Sequence, residues 1–432
     1  MKVADSDPTT SSAIERWLAE IAGTSIVLTP NPNFGTAARC GTAVGGLFTE
    51  TLWANVRNEV SSWPDYCVSP LVDLSGLSRR SNVGRIWVKD EGERFGIGSF
   101  KALGGAYAVR RLIAAALDID PSHLRPGSDR LPERDRERIR AMTVTCATDG
   151  NHGRAVAWGA MTVGCRCVIY IHQGVSAGRV RALHALGAQV KRCSGNYDDS
   201  VREAAQASRD HGWITVADTS LDESDASPRH VMAGYTLLMA EIAQQLTHEQ
   251  PPTHVFVQAG VGALAAAVAA GACRYWAASP PQLVTVEPIV ADCVRRSIGA
   301  GRPVNVTGSL DTIMAGLACG EVSHWAWPVL RSAVRCAIAI PDSSIPPAMR
   351  LAYCGVGGDR SLTLGESGVV GLAALLAARA QPAIARELDL DASSRVLLIG
   401  TEGITDPEIY GSLVPESYAA DALVVRSPGQ TD

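Results

Sequence analysis

A lysine in a glycine-rich turn is the residue best placed to do chemistry in this 432-residue chain. Lys101 follows an apolar strand pattern (residues 86–88) and a turn that contains Gly98, and it opens an apolar helical pattern. A lysine fixed at a helix start beside Phe100 can lose enough solvation to become a nucleophilic amine. Such an amine can hold a carbonyl cofactor as a Schiff base. Because most lysines are solvated surface charges, the residues around Lys101 must decide its role.

A cluster of polar residues lies in the segment Ala-Thr-Asp-Gly-Asn-His-Gly, residues 147–153, between a strand pattern and a helical pattern. Open parallel sheets bind ligands at such turns. The two glycines let the backbone approach a ligand while the side chains of Asp149, Asn151 and His152 reach it. A plain helix cap by Asp149 or Asn151 is the alternative, but it accounts for one polar residue and not for the cluster.

The segment Gln-Ala-Gly-Val-Gly-Ala-Leu-Ala, residues 258–265, also lies between a strand and a helix pattern. Its consecutive backbone N–H groups at a helix N-terminus suit a phosphate dianion. Gly260 and Gly262 also match a dinucleotide-binding pattern loosely, and Glu287 ends the next strand, where an acid could bind a ribose. A nicotinamide-dependent oxidoreductase is therefore a rival hypothesis, although it gives Lys101 and the 149–151 turn no role.

Short apolar strands alternate with amphipathic helical segments from residue 85 onward, which is typical of βαβ units and a largely parallel sheet in an α/β protein. Thr401 follows the last predicted strand and carries a hydroxyl that could bind a cofactor ring nitrogen. The segment 118–138, rich in charge and proline, is predicted to be an exposed loop. The predicted strands are residues 86–89, 142–146, 167–171, 189–192, 213–217, 254–258, 283–287, 336–340 and 396–399. The predicted helices include residues 100–117, 154–162, 178–186, 198–211, 230–246 and 368–379.

The composition argues against several classes of protein. A net charge of −5 and a pI of about 6.0 argue against nucleic acid as the main partner. The chain has no signal-peptide pattern and no apolar run of about 18 residues, so we expect a cytoplasmic protein that does not contact a membrane. Its 11 cysteines lack metal-ligand spacing. We therefore expect most of them to be small core residues and expect no metal site.

Taken together, these motifs resemble the diaminopropionate ammonia-lyases, a family within the fold type II, tryptophan synthase β-like, pyridoxal-phosphate enzymes. The resemblance runs from about residue 34 to 410 and includes the segments 286–293, 312–321 and 365–368. It implies an α/β fold with two domains built from open, twisted, mostly parallel sheets flanked by helices. The implied domains are a large cofactor-binding domain, residues 1–103 and 226–432, and a small mobile domain, residues 104–225.

The resemblance also implies how pyridoxal 5′-phosphate is held. Lys101 would carry it as a Schiff base, Asn151 would bind its ring hydroxyl, and Thr401 would face its ring nitrogen. The residues that would cradle its phosphate are Gly260, Val261, Gly262 and Ala263.

The implied reaction is α,β-elimination of D- or L-2,3-diaminopropionate to pyruvate and two molecules of ammonia. The cofactor acts as an electron sink, so that removal of the α-proton leaves a stabilised carbanion that can expel the β-amino group. Asp149 matches the family's second acid/base, which contacts the substrate on the face opposite Lys101, so both isomers could lose the α-proton. Asp218 matches an aspartate that binds the substrate's amino groups. A homodimer acting on a small amino acid is implied as well.

The chain departs from the family in two places, which keeps alternatives open. Gly400 and Ile404 stand where a serine and an aspartate are usual, and residues 220–230 replace an aromatic-rich stretch. The alternatives are a serine or threonine dehydratase, a β-replacement enzyme for another β-substituted amino acid, and an inactive cofactor-binding regulator.

The sequence leaves the roles of four further residues open or secondary. His152 is expected to support its turn rather than to transfer protons. Cys293 and Cys319 match positions near the site entrance and could be a disulfide or two reduced thiols. Glu366 could face the cofactor or cap the helix that follows it.

Overall fold

Parallel strands and helices alternate along the chain, as the apolar patterns predict. The computed structural model describes residues 8–35, 41–125, 130–148, 150–195, 197–219 and 225–415. The strands are β1 (Val27–Pro30), β2 (Leu71–Asp73), β3 (Arg85–Asp90), β4 (Thr143–Ala147), β5 (Arg166–Ile171), β6 (Gln189–Arg192), β7 (Ile214–Thr215), β8 (His254–Gln258), β9 (Gln282–Pro288), β10 (Val334–Ile340) and β11 (Arg395–Gly400).

The helices fill the intervals between the strands. They are α1 (Pro8–Ala22), α2 (Thr42–Leu47), α3 (Glu50–Val60), α4 (Ser75–Ser81), α5 (Lys101–Leu117), α6 (Glu133–Ala141), α7 (Asn151–Val163), α8 (Ala177–Ala185), α9 (Tyr197–His211), α10 (Ser227–Gly234), α11 (Thr236–Gln245), α12 (Ala263–Tyr275), α13 (Cys293–Ala300), α14 (Trp327–Ala333), α15 (Ile345–Cys354), α16 (Val370–Ala380), α17 (Pro382–Glu387) and α18 (Pro407–Leu413).

The larger sheet has seven strands in the order β1-β10-β9-β8-β11-β3-β2. Its five inner strands are parallel, and the edge strands β1 and β2 are antiparallel to their neighbours. In β8, Val255 and Val257 pack into one apolar cluster and Phe256 into a second one, so both faces of the sheet are covered. Burial on both faces explains why the three central residues of β8, between His254 and Gln258, are all apolar.

The smaller sheet has four strands in the order β6-β5-β4-β7, and all of its pairings are parallel. Its strands lie between residues 143 and 215. The helices α7, α8 and α9 connect them in βαβ units, as the sequence predicts.

Helix α5 leads away from the larger sheet and packs against α7 of the smaller unit. A β-carbon on Gly105 would lie 2.7 Å from the Ala155 β-carbon, and one on Gly159 would lie 2.8 Å from the Ala106 α-carbon. Glycine is therefore required at both points for the two helices to approach this closely. This contact fixes the start of α5, which is Lys101, relative to the start of α7, which is Asn151.

The structure corrects the sequence predictions in three places. The charged segment predicted to be a loop contains α6, whose one buried residue is Ile139. The single predicted helix 230–246 is two helices that meet at Tyr235. The edge strands β1 and β2 were missed because three or four residues, with Pro30 ending one strand, carry little periodicity.

Within the described ranges, no helix is long and apolar enough to span a membrane. The same residues contain no group of three or more His, Cys, Asp or Glu side chains that could hold a metal ion.

Candidate active site

An ion pair between Lys101 and Asp218 lies where the two sheets meet. Lys101 Nζ donates to Asp218 Oδ2 at 2.8 Å, and the two side chains are 17% and 20% exposed. Lys101 follows β3 of the larger sheet, and Asp218 follows β7 of the smaller one. Because the carboxyl ends of parallel strands bind ligands, the pair lies where the strand order predicts a site.

The two charges determine each other's pKa. Burial lowers the pKa of Lys101, but the Asp218 carboxylate, with smaller contributions from Tyr235 and Cys319, outweighs this effect and holds the pKa above the ordinary lysine value. Burial raises the pKa of Asp218, but the charge of Lys101 and then that of His152 outweigh this effect and hold it below its usual range. Both groups are therefore charged at neutral pH in the protein alone. Lys101 has to give up both a proton and this partner before its nitrogen can act as a nucleophile.

His152 supports the turn that carries Asn151, in agreement with the sequence prediction. Its Nε2 is 2.7 Å from the Val216 carbonyl, and because a carbonyl can only accept, Nε2 carries the hydrogen. Its Nδ1 lies 3.9 Å from Asp218 Oδ2. The imidazole thus connects the start of α7 to the residue that follows β7.

The glycine-rich turn after β8 forms an anion-binding site at the start of α12. Gly262 is the N-cap residue, with φ of +93°, and no side chain caps the helix. A β-carbon on Gly262 would lie 2.6 Å from Leu330 Cδ1, and one on Gly260 would lie 3.0 Å from Cys319 Sγ. The first backbone N–H groups of a helix have no intrahelical acceptor, so this uncapped terminus can bind a phosphate.

Asn151 faces the same pocket and is held by Glu402. Its Nδ2 donates to Glu402 Oε2. The other carboxylate oxygen of Glu402 accepts from the Ser367 backbone N–H at 2.8 Å. The Asn151 amide is therefore fixed in orientation by a carboxylate that is itself anchored to the 365–368 turn.

Thr401 presents a buried hydroxyl that accepts a hydrogen bond from Gln258. The Gln258 Nε2 to Thr401 Oγ1 distance is 3.1 Å. The same amide nitrogen lies 2.8 Å from the Ser367 carbonyl oxygen and 2.9 Å from the Ile399 carbonyl oxygen, so its two hydrogens are shared among these acceptors and Thr401, which fixes its orientation. A side chain at Gly400 would place its β-carbon 2.6 Å from Leu364 Cδ2, so the hydroxyl at this strand end comes from the next residue.

The pocket brings together most of the residues predicted from the sequence. Its lining includes Lys101, Asn151, Asp218, Gly260, Val261, Gly262, Ala263 and Thr401. Asp149 and residues 220–224 of the altered 220–230 segment lie outside the described residues.

Several lining residues were not predicted as site residues, namely Tyr235, Gln258, Ser367 and Glu402. Glu402 lies next to Thr401, and Gln258 begins the predicted 258–265 turn, so their position at a strand end could have identified them. Tyr235 has no such signal, because the sequence places it inside one long helix.

Glu287 does not support a dinucleotide site. Its carboxylate is fully buried and accepts from the backbone N–H groups of Val294 at 2.7 Å and Arg295 at 2.6 Å. Both oxygens thus cap α13, and neither can bind a ribose hydroxyl. The main observation behind the nicotinamide hypothesis is thereby removed.

The structure answers one of the open sequence questions and describes the surroundings of Glu366. Cys293 and Cys319 are both reduced. The Cys293 sulfur lies 3.6 Å from the Gly260 carbonyl oxygen. Glu366 is buried, and burial together with the neighbouring Glu402 carboxylate raises its pKa to about 7.

The described residues of this pocket fit pyridoxal 5′-phosphate. The uncapped start of α12 suits the phosphate, and the Thr401 hydroxyl suits a ring nitrogen. The other lysines of the chain are Lys2, which is not described, Lys191 on β6, and Lys89, which is fully buried. Lys101 is therefore the lysine, among the described residues, that can form a Schiff base in this pocket.

Comparisons with known proteins agree with this fit. The family model for pyridoxal-phosphate dependent enzymes matches residues 63–402. The diaminopropionate ammonia-lyase of Salmonella typhimurium is 38% identical over 85% of this chain and 94% of its own length. The diaminopropionate ammonia-lyase of Escherichia coli is 39% identical over 87% of this chain and 94% of its own length.

A solved structure extends the similarity to the fold. The Escherichia coli diaminopropionate ammonia-lyase, crystallised with an aminoacrylate-PLP azomethine reaction intermediate, superposes with a TM-score of 0.82 at 36% identity. The match covers 91% of this chain and 98% of that one.

Proposed function

This chain belongs to the diaminopropionate ammonia-lyase family of fold type II pyridoxal-phosphate-dependent enzymes, and we propose that it converts 2,3-diaminopropionate to pyruvate and two molecules of ammonia by α,β-elimination. One observation carries the proposal most directly. The amine of Lys101 lies in one pocket with the uncapped start of α12, which can bind a phosphate, and with the amide of Asn151 and the hydroxyl of Thr401. When bound, pyridoxal phosphate supplies an electron sink for the pair left after α-proton removal.

The residues of the chain divide the proton transfers between two faces of the substrate. Lys101, once displaced by the substrate's amine, takes the α-proton on its own face. We assign the opposite face to Asp149, on the family resemblance alone. Together they allow both D- and L-isomers to react.

Asp218 binds the amino groups of the substrate. In the protein alone its carboxylate holds the Lys101 ammonium at 2.8 Å. Once Lys101 is the neutral amine that takes the α-proton, this carboxylate would need another cation, and the β-ammonium of diaminopropionate is one. This exchange of partners favours a substrate with a second amino group over serine, whose β-substituent is neutral.

Thr401 holds the ring nitrogen without protonating it. Its oxygen accepts from Gln258, which leaves its own hydrogen for a further acceptor such as an unprotonated pyridine nitrogen. A neutral ring nitrogen favours elimination over transamination. Gly400 and Ile404, which replace the usual serine and aspartate, are consistent with Thr401 in this role.

A substrate panel with the purified protein tests this function. Pyruvate and ammonia are quantified from D- and L-diaminopropionate beside D- and L-serine and L-threonine. We expect two ammonia per pyruvate from diaminopropionate and slower turnover of serine; faster turnover of serine would reassign the enzyme as a dehydratase.

Borohydride reduction of the cofactor-loaded protein tests the site. We expect the label on Lys101 and not on Lys89 or Lys191. A label on another lysine, or no labelled lysine at all, would contradict the mechanism.

We further propose that the protein is a cytoplasmic homodimer and that residues 104–225 move relative to residues 1–103 and 226–432. The family resemblance supports the homodimer. The two separate sheets are compatible with domain movement, and the composition favours the cytoplasm. Light scattering, cell fractionation, and X-ray scattering with and without substrate test these three points in turn.

A further inference from the structure

The hydroxyl of Tyr235 is a buried polar group in the active-site pocket that the steps above do not use. The residue is 1% exposed and lines the same pocket as Lys101 and Asp218. Its oxygen makes no hydrogen bond of ordinary geometry with the described residues, although Lys101 lies close enough to lower its pKa. An unsatisfied buried hydroxyl costs about 1–3 kcal/mol, so this group is expected to have a partner in the working enzyme.

The ring of Tyr235 is held in place by close backbone packing. A β-carbon on Gly104 would lie 2.5 Å from Tyr235 Cε1, and one on Gly234 would lie 2.0 Å from the Leu103 carbonyl oxygen. The Phe100 ring packs against Tyr235 with a centroid distance of 4.6 Å. The glycines let α5 and α10 approach, and the hydroxyl is fixed at the junction between α10 and α11.

The charged groups around the Tyr235 hydroxyl are Lys101 and Asp218, which also have roles in the proposed reaction. Burial raises the pKa of Tyr235 to about 12, while the nearby Lys101 ammonium lowers it and Asp218 raises it further. Cys319 is a further titratable group near Lys101, and His152 is one near Asp218. At neutral pH the phenol is therefore un-ionised and can both donate and accept a hydrogen bond, but it is not a base.

We propose that Tyr235 is a catalytic residue whose hydroxyl hydrogen-bonds to Lys101 Nζ while that nitrogen takes the α-proton of the substrate. This inference rests on the proposed function. The hydroxyl donates to the neutral amine and so directs the remaining lone pair. As the Cα–H bond breaks, its electron pair stays with the substrate and cofactor, and an N–H bond forms on Lys101. The new ammonium then donates to the Tyr235 oxygen and to Asp218, and Tyr235 gains no net proton.

The change Tyr235→Phe removes this oxygen alone, and the two substrate isomers serve as internal controls. We expect kcat to fall roughly 10- to 100-fold for the isomer whose α-proton Lys101 removes, because a hydrogen bond to a charged group is lost. The isomer deprotonated on the opposite face should keep its kcat within about threefold, since Lys101 is not its base. Equal loss for both isomers, or no loss for either, overturns the proposal.

Tyr410→Phe is the matched control. Tyr410 is also buried, its hydroxyl also makes no hydrogen bond with the described residues, and it packs in the other apolar cluster. This variant should leave the ratio of the two isomers unchanged. A shift of that ratio as large as in Tyr235→Phe would overturn the assignment of a specific role to Tyr235.

A spectroscopic titration gives a readout that does not depend on turnover. In the cofactor-loaded protein, the visible band reports protonation of the nitrogen that links Lys101 to the cofactor. Tyr235→Phe removes a dipole that stabilises the positive charge, so the midpoint should fall by about one pH unit, whereas Tyr410→Phe should leave it unchanged.

The two measurements separate failure of the inference from failure of the proposed function. If the wild-type protein releases pyruvate from neither isomer, the proposed function fails, and the titration still decides the role of Tyr235. If it accepts one isomer only, the titration again decides. An unchanged midpoint in Tyr235→Phe then overturns the proposal.

Discussion

Two lysine–carboxylate pairs in this protein have nearly the same length and different surroundings. Lys89 Nζ lies 2.7 Å from Glu241 Oε2, and Lys101 Nζ lies 2.8 Å from Asp218 Oδ2. The first pair is 0% and 2% exposed, whereas the second is 17% and 20% exposed. The contact distance is therefore not what distinguishes a structural pair from a reactive one.

The number of partners distinguishes them. Lys89 donates to Glu241 at 2.7 Å, to the Ser69 carbonyl at 2.8 Å and to Gln245 at 2.9 Å, which uses all three of its hydrogens. Arg94 then binds the same Glu241 carboxylate at 2.7 Å. Among the described residues, Lys101 makes one hydrogen bond of ordinary geometry, to Asp218. A lysine with one partner in a pocket can exchange it, and a lysine with three buried partners cannot.

The pKa values differ in the same sense. For Lys89, burial outweighs the neighbouring carboxylates and lowers its pKa. For Lys101, burial lowers the pKa, but the charge and hydrogen bond of Asp218 together with Tyr235 and Cys319 outweigh burial and raise it. A lowered pKa alone would therefore select Lys89 and not Lys101, the lysine that we propose as the nucleophile, so the geometry of the pocket has to be considered first.

The largest expected effect is that of Lys101→Ala. It removes both the covalent anchor and one base, so pyruvate release should fall about 10⁴-fold or more while the circular dichroism spectrum is retained. Lys191→Ala, the same change on the half-buried lysine of β6, should leave activity unchanged. If Lys101→Ala kept more than about 1% of wild-type activity, our inference that the Lys101 pair is catalytic and the Lys89 pair structural would be wrong.

Lys89→Met should reduce stability and leave catalytic activity unchanged, which is the opposite of what we expect for Lys101→Ala. It leaves Glu91 and Glu241 with Arg94 as their one buried cation, so urea unfolding should show a loss of about 3–5 kcal/mol. The activity of the folded fraction should remain. The double change Lys89→Met with Glu241→Met restores charge balance between Arg94 and Glu91 and should recover part of the loss. Unchanged stability with lost activity would place Lys89 in the catalytic machinery.

These two lysines also show what the sequence could and could not predict. Lys101 was identified because its turn carries glycines and a helix start, and the parallel strands, the Gly260 turn and Thr401 follow from equally local patterns. Lys89 is inside an apolar strand, and its partner Glu241 is 152 positions away. No local sequence pattern predicts a contact between residues this far apart in the chain. Tyr235 could not be predicted for the same reason, because its ring is positioned by Gly104 of another helix.

Asp218→Asn should give an effect of intermediate size that depends on the substrate. It removes the charge that holds the second amino group, so kcat/KM for diaminopropionate should fall about 100-fold. Serine has no β-ammonium, so its kcat/KM should fall less, and the ratio of the two substrates measures the difference. An equal loss for both would assign Asp218 to holding Lys101 rather than to binding substrate.

The smallest expected effect is on stability, in the protein freed of cofactor. Because the Lys101–Asp218 pair is partly exposed, Asp218→Asn should cost only about 1 kcal/mol by urea unfolding at neutral pH. The pKa of Asp218 is lowered, so its contribution is present above the unfolded value of about 4 and is lost as the pH falls through the lower folded value. The pKa of Lys101 is raised, so its contribution is present below about 10.4 and is lost as the pH rises through the higher folded value. The gap between wild type and variant should therefore be constant from about pH 5 to 9 and close below about pH 4. If the stability difference between wild type and variant varied across the neutral pH range, another group would titrate together with the pair. Lys101 and Asp218 could then not be treated as a pair that is independent of the rest of the pocket.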